Sequence, residues 1–333
     1  MAVRLWIGQG QAGTMLNLAV YSTTTQILEQ VLTGLPALPY APAELYHYTS
    51  LETIQKILEF DDIRLTHAEY SNDQRELEEA RILIADRMAH HPSPAAFLTA
   101  VEAAYDVQAG SLDVYVFCMS TGIVGNPPPQ DMLSQWRAYS QDGRGGCLTF
   151  DSGGLTALAH YFPAGLRRNP VIYDPALQTA LIDGILAQGS ALYPGTPTAV
   201  EATAGALIFV MPLIKHQGFA EEREWRLIYT PLEEAPPQLG FHPRRDFLAP
   251  FVTLQHLWNV VGLRLRQLPG SPVRPPLLTI PAPTGLPLIP VLSVMVGPSG
   301  HQPLNERAMQ KVIAQWRTGL GLQKSGTPYR SLS

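Results

Sequence analysis

The chain has 333 residues, a formal net charge of −5 and a charged fraction of 15%, against 46% hydrophobic residues. This composition excludes a highly charged disordered protein, because enough apolar side chains are present for a sizeable core. It also excludes a global positive field that would hold nucleic acid nonspecifically. The two cysteines, Cys118 and Cys147, form no CxxC pair. The sequence therefore favours a reduced, cytoplasmic protein over a zinc ribbon or a redox dithiol.

Residues 1–44 are predicted to form an N-terminal extension of one main domain at residues 45–333. A short strand, a glycine-rich turn and a helix are expected here, followed by prolines. Gly8, Gly10 and Gly13 match the GxGxxG spacing of dinucleotide-binding turns. Because 44 residues are too few for a dinucleotide-binding fold and no regular βαβ alternation follows, we interpret these glycines as a structural turn.

The main domain opens with an aromatic strand that runs into His47, and a helix follows at once. Thr49 and Glu52 have the spacing of a capping box, which predicts Thr49 as the N-cap. The junction then presents free backbone N–H groups to an anionic ligand. Periodicity and turn residues predict the following further elements: strands at 63–66, 114–119, 147–150, 224–229 and 291–296, and helical structure at 74–89, 176–216 and 305–320.

Strands and helices alternate irregularly along the main domain. This pattern predicts an α+β fold rather than a doubly wound parallel sheet. The uncharged segment 275–305 contains eight prolines, so it cannot form one continuous membrane-spanning helix. We therefore expect no membrane partner.

A pair of glutamates stands out before the predicted strand at 224–229. Glu222 and Glu224 are two residues apart, so on an extended chain they share one face. Neighbouring carboxylates repel each other, which can separate their pKa values for acid–base work. An ion network with the adjacent Arg223 and Arg226 is the alternative interpretation.

Aromatic residues precede a glycine-rich turn in the middle of the chain. Trp136 and Tyr139 could stack on a planar ring such as nicotinamide or a base, with Arg137 between them, or they could be core residues. Asn72, Asp73 and Glu76 could bind a metal ion or cap a helix. No HExxH, GxSxG or Walker motif is present, so zinc protease, serine hydrolase and phosphate-loop enzymes are disfavoured.

The order of these clusters resembles a bacterial family catalogued as domain of unknown function 2971. The clusters are LYHYTS, SND with a following glutamate, FCMS, QWRAYS with GRGGCLTFD, EREWRLI, VMVGP and a C-terminal GTPYRSLS. The resemblance spans about residues 45–333, and it implies no function.

A second resemblance is to ADP-ribosyltransferases, whose HGTS opening is similar to the segment His47, Tyr48, Thr49 and Ser50. It implies a split, mixed or antiparallel sheet flanked by helices, with NAD as a substrate and no metal. Residues implied to bind NAD are His47, Tyr48, Thr49, Ser50, Ser120, Trp136, Arg137 and Tyr139, and those implied to be catalytic are Glu222 and Glu224. Tyr48 stands where the family usually has glycine.

The sequence thus predicts an NAD-consuming ADP-ribosyltransferase-like enzyme with an unknown protein, nucleic-acid or small-molecule acceptor, of the kind used as toxins or anti-phage effectors. Water as acceptor would make it an NAD hydrolase. Two other hypotheses stay open. One is a non-catalytic module that binds a nucleotide or nucleic acid through Arg137, Arg144, Arg244 and Arg245. The other is a metal-dependent nuclease that uses Asp73, Glu76 and the glutamate pair.

Overall fold

The computed structural model describes residues 18–35, 42–70, 76–110, 113–123, 128–161, 166–231, 239–243, 246–257 and 289–328. The helices in these ranges are α1 Leu18–Gly34, α2 Leu51–Phe60, α3 Glu76–His90, α4 Ala95–Ala109, α5 Leu133–Tyr139, α6 Ser152–Tyr161, α7 Pro175–Leu192, α8 Ala199–Val210 and α9 Gln302–Trp316. The strands are β1 Glu44–Thr49, β2 Arg64–His67, β3 Tyr115–Ser120, β4 Gly146–Asp151, β5 Leu166–Pro170, β6 Glu224–Tyr229, β7 Gly240–Pro243, β8 Leu248–Thr253, β9 Val291–Val296 and β10 Gly321–Lys324.

The described strands form one mixed sheet in an α+β fold. Its main path runs β10-β9-β4-β1-β3-β2-β8-β7, and β6 and β5 continue from β3 as a branch. The pairing of β9 with β10 is parallel, and the other pairings between these strands are antiparallel. No helix in the described ranges has both the length and the apolar character needed to cross a membrane.

The sheet splits at β3. One edge of β3 pairs with β6 along its whole length. On the other edge, β2 pairs with its first two residues, Tyr115 and Val116, and β1 pairs with Ser120 through Tyr46. Because β1 and β2 take opposite ends of the same edge, they diverge beside the middle of β3. We call this divergence the sheet split.

Helices cover both faces of the sheet, as strand alternation requires. Val116 and Ile228 belong to a core cluster with α1, α3, α4, α7 and α8. Phe117 and Leu227, their neighbours in sequence, belong to a second cluster with α2, α6 and α9. A third, smaller cluster places Trp136 of α5 against β1, β4 and β9.

Helix α1, from the predicted N-terminal extension, packs against α7 and α8. Its Ile27, Leu28 and Val31 are buried in the first cluster. Gly184 of α7 permits this close approach, because a Cβ there would lie 2.9 Å from Val31 Cγ1. The helix thus contributes directly to the main core, while residues 1–17 with their GxGxxG match lie outside the described ranges. The division of the chain at residue 44 stays a prediction.

The predicted strands at 224–229 and 291–296 have the observed bounds. One capping prediction needs correction. The N-cap of α2 is Ser50, whose Oγ accepts a hydrogen bond from the Thr53 N–H at 3.0 Å. Thr49 still belongs to β1, where it pairs with Gly146, so the backbone turns one residue later than the capping-box pattern predicts.

Candidate functional site

The two glutamates lie where a 3-10 helix, Gln217–Glu222, meets β6. The chain is not extended between them, because Arg223 adopts a left-handed conformation with φ of 47°. The expectation of one extended face was therefore wrong about the backbone. The turn nevertheless brings both carboxylates to the same ammonium group. Strand alternation sends Trp225 and Leu227 to the opposite face.

Lys215 lies between the two carboxylates. Its Nζ is 2.6 Å from Glu222 Oε2 and 3.0 Å from Glu224 Oε2, and only 6% of its side chain is exposed. The segment that carries it is held in place because Gln178 donates hydrogen bonds to the Ile172 and Lys215 carbonyls. An ammonium group in this position offsets the mutual repulsion of the glutamates.

Glu224 is fully engaged by cations. Arg226 Nε donates to Oε1 at 2.7 Å, and Arg226 Nη2 donates to Oε2 at 2.9 Å, in addition to the contact with Lys215. Burial by itself would raise the pKa of the Glu224 carboxyl, but the charge and hydrogen bonds of Arg226, together with Lys215, lower it to about 2. Glu224 is therefore ionised, and its negative charge is compensated by the neighbouring Arg226 and Lys215.

Glu222 is the more accessible carboxylate. Its side chain is 16% exposed, against 7% for Glu224. Its Oε1 accepts a hydrogen bond from the Tyr139 hydroxyl at 2.5 Å. Burial is the main cause that raises the pKa of Tyr139 above its usual range, and the hydrogen bond to Glu222 adds to it. The phenol therefore stays protonated and acts as the donor. The structure thus joins two predicted site residues that are 83 positions apart in the chain.

Two further residues, Tyr173 and Ser120, lie beside Glu224. The Tyr173 hydroxyl accepts a hydrogen bond from the Glu224 backbone N–H at 3.0 Å. Ser120 pairs directly with Glu224 in the β3–β6 ladder, so their side chains share a face. The candidate site therefore consists of Tyr139, Ser120, the two glutamates and the residues that hold them, where the end of β3 pairs with the start of β6.

His47 lies on the other face of the sheet. Tyr46 is opposite Ser120, and Ser120 is opposite Glu224, so Tyr46 shares the face of Glu224 and His47 does not. The His47 ring packs 4.2 Å from the Phe117 ring, between centroids, in the second core cluster's layer. The structure does not bring His47 together with the glutamates, contrary to the arrangement expected from the sequence.

The imidazole of His47 joins β1 to the middle of β3, at the sheet split. Its Nδ1 is 2.8 Å from the Cys118 carbonyl oxygen, and because a carbonyl can only accept, Nδ1 carries the proton. Burial lowers the pKa of His47 to about 4, although the Cys118 hydrogen bond opposes this shift. His47 is therefore neutral near pH 7.

The other predicted NAD-binding residues have mainly structural positions. Trp136 is completely buried, so its ring is closed to a planar ligand, and its Nε1 donates to Asp131 at 2.7 Å. Tyr48 is 6% exposed and packs edge-on against Trp136. Thr49 pairs with Gly146 in the sheet, and Ser50 caps α2. Arg137, in contrast, is exposed on α5.

The residues proposed for metal or nucleic-acid binding are only partly described. Asp73, Arg244 and Arg245 lie outside the described ranges, as does the side chain of Glu76. Within those ranges, no three His, Cys, Asp or Glu side chains are grouped so that they could hold a metal ion.

Sequence reasoning missed Lys215 and Tyr173. Lys215 precedes Glu222 by seven residues and Tyr173 precedes Glu224 by 51, and no motif spacing connects them. The signal that the sequence offered for Lys215 is its position at the end of an apolar stretch, which suggests burial. Since an unpaired buried ammonium is costly, such a lysine is expected to have a carboxylate partner.

Comparison with known families gives a match in the middle of the chain. Residues 135–227 match the model of a family described as "Protein of unknown function (DUF2971)". That range includes Tyr139, Tyr173, Lys215 and both glutamates, so the candidate site lies mainly within the matched segment. No curated protein and no solved structure matches the chain.

Proposed function

We propose that the chain is an NAD-consuming, ADP-ribosyltransferase-like enzyme in which Glu222 is the carboxylate that meets the substrate. The observation that carries this proposal is the contact between Tyr139 and Glu222. An aromatic side chain and a partly accessible carboxylate, from distant parts of the chain, meet at one place. Ser120 lies on the same face of the sheet as Glu224.

The chemistry asks for such a carboxylate. Breaking the bond between nicotinamide nitrogen and ribose C1′ releases neutral nicotinamide with the bonding electron pair and leaves positive charge at C1′. A fixed anion beside that carbon stabilises the charge. The acceptor then forms the new bond at C1′ and gives up its proton to a base. Glu222 supplies the anion, and the Tyr139 ring offers a surface for the nicotinamide.

The structure favours Glu222 over Glu224 for this role. Both Glu224 oxygens face cations, so its charge is already compensated and its hydrogen-bonding capacity is largely used. Glu224 instead holds Arg226 and Lys215, and Lys215 also contacts Glu222. His47 has no substrate contact in this proposal, because it lies on the opposite face.

Nicotinamide release from NAD by the purified protein, with and without bacterial lysate, tests the proposal. We expect Glu222→Gln to lower release by about 100-fold, because it removes the anion at the reacting carbon and keeps the shape. Glu221→Gln is the matched control, since Glu221 is the exposed neighbour of Glu222. It should leave release unchanged.

Two results would contradict the proposal. One is full release by a folded Glu222→Gln variant. The other is absence of release by the folded wild type in both conditions, which would favour the non-catalytic binding module. Thermal melting of each variant shows whether it is folded.

A further inference from the structure

A groove of about 800 Å³ lies between α3, the start of α7 and the segment 214–218. Its apolar lining comes from four side chains, and its charged lining includes two carboxylates on α3. The apolar residues are Ile82, Leu83, Pro175 and Ile214, and the carboxylates belong to Glu79 and Asp86.

The charge that faces this groove is acidic. Glu79 and Asp86 are seven residues apart, two helical turns, so they lie on the same side of α3. Lys215 also contributes to the wall, but its ammonium group is engaged with Glu222 and Glu224. The carboxylates therefore dominate the electrostatics of the groove, which disfavours a phosphate backbone and favours a cationic ligand.

An exposed apolar side chain lies between the two acids. Ile82 is 61% exposed, three residues after Glu79 and four before Asp86. Helical spacing places all three side chains in one row. A partner that matches this row carries basic side chains on both sides of an apolar one.

We infer that this groove binds a basic, partly apolar peptide segment of a protein acceptor. Lys215 connects the groove wall to Glu222, so a peptide held there lies one lysine side chain away from the proposed reaction centre. The identification of the peptide as the acceptor rests on the proposed function, but the binding itself does not. The groove thus selects proteins, rather than nucleic acids, as acceptors.

Fluorescence anisotropy with a fluorescein-labelled peptide of alternating arginine and leucine, without NAD, tests the binding. The wild type should bind it, and should bind a glutamate–leucine peptide at least about tenfold more weakly. The double variant Glu79→Lys/Asp86→Lys should bind the basic peptide about tenfold or more weakly. Added salt should weaken wild-type binding, because the attraction is between exposed charges.

The matched control is Glu102→Lys/Asp106→Lys, which makes the same charge change at exposed positions of α4. It should bind like the wild type. The inference is overturned if the wild type does not bind the basic peptide, or if both double variants bind equally. If the groove variant does not fold, the salt titration of the wild type decides. Wild-type binding that added salt does not weaken would also overturn the inference. Peptide binding without nicotinamide release would support the groove as a peptide site and contradict the proposed enzyme activity. Nicotinamide release without peptide binding would support the activity and contradict the peptide site.

Discussion

At the scale of single residues, His47 takes the place of a missing strand partner. On the edge of β3 that faces β1 and β2, neither strand pairs with the middle of β3. There the His47 Nδ1–H donates a hydrogen bond to the Cys118 carbonyl. A buried carbonyl without a donor would cost about 1–3 kcal/mol. The histidine that resembles a ligand-binding residue thus has a structural role in the sheet.

This arrangement predicts a pH dependence of stability. The pKa of His47 is about 4 in the folded protein, below the ordinary value of 6.5. Between these pH values the unfolded chain binds the proton and the folded chain does not, so folding stability falls as the pH drops from 6.5 to 4. We expect this group to cost about 2 kcal/mol between pH 7 and pH 4.5.

Urea denaturation at pH 7 and at pH 4.5 measures the effect. His47→Gln keeps a hydrogen-bond donor but does not titrate, so its stability should fall less than that of the wild type. His301→Gln, at an exposed position, should behave like the wild type. If His47→Gln and His301→Gln lose equal stability on acidification, the depressed pKa is not the cause.

At the scale of elements, Asp131 ties the C-terminal segment to α5. Its carboxylate accepts hydrogen bonds from Trp136 Nε1, Ser325 Oγ and the backbone N–H groups of Gly326 and Thr327. Burial opposes ionisation, but these hydrogen bonds lower the pKa of Asp131 below its usual range. One carboxylate thus connects a core tryptophan with the chain that follows β10.

Asp131→Ala should therefore destabilise the protein by about 2–4 kcal/mol, because it leaves the Trp136 indole N–H and the Gly326 N–H without the acceptor that they share. Hydrogen exchange should show the loss of protection concentrated in residues 325–327. Asp106→Ala, at an exposed position of α4, should cost less than about 0.5 kcal/mol. Unchanged exchange in residues 325–327 would show that other contacts hold this segment.

At the scale of the whole molecule, the five helices over one face of the sheet share one core cluster, and α1 is part of it. The helix lies against α7 and α8, where Val31 faces Gly184. Residues 18–34 therefore share their core with elements about 150 residues further along the chain. Stability of the main domain should depend on this helix.

Val31→Asp tests that dependence. A carboxylate placed at this buried position should lower the free energy of unfolding by about 3 kcal/mol or more. Gln30→Asp is the matched control, since Gln30 is the exposed neighbour on the same helix. It should cost only a few tenths of a kcal/mol. Equal unfolding midpoints for the two variants would mean that α1 is only loosely attached.

Local patterns predicted part of the candidate site. The alternation in EWRLIY predicted β6 and sent Trp225 and Leu227 to the face away from Glu224. The same alternation, combined with strand register, separates His47 from Glu224. That register depends on which strands pair, and a single sequence does not contain the pairing.

The sequence by itself determined the α+β class and most of the main helices and strands, because hydrophobic periodicity and turn residues act over a few neighbouring positions. Only the tertiary structure decided which polar groups meet. It brought Tyr139 and Lys215 to Glu222 and neutralised Glu224 with Arg226. It also placed His47 on the other face and buried Trp136. These outcomes depend on long-range pairing and burial, which are set by the packing of the whole chain.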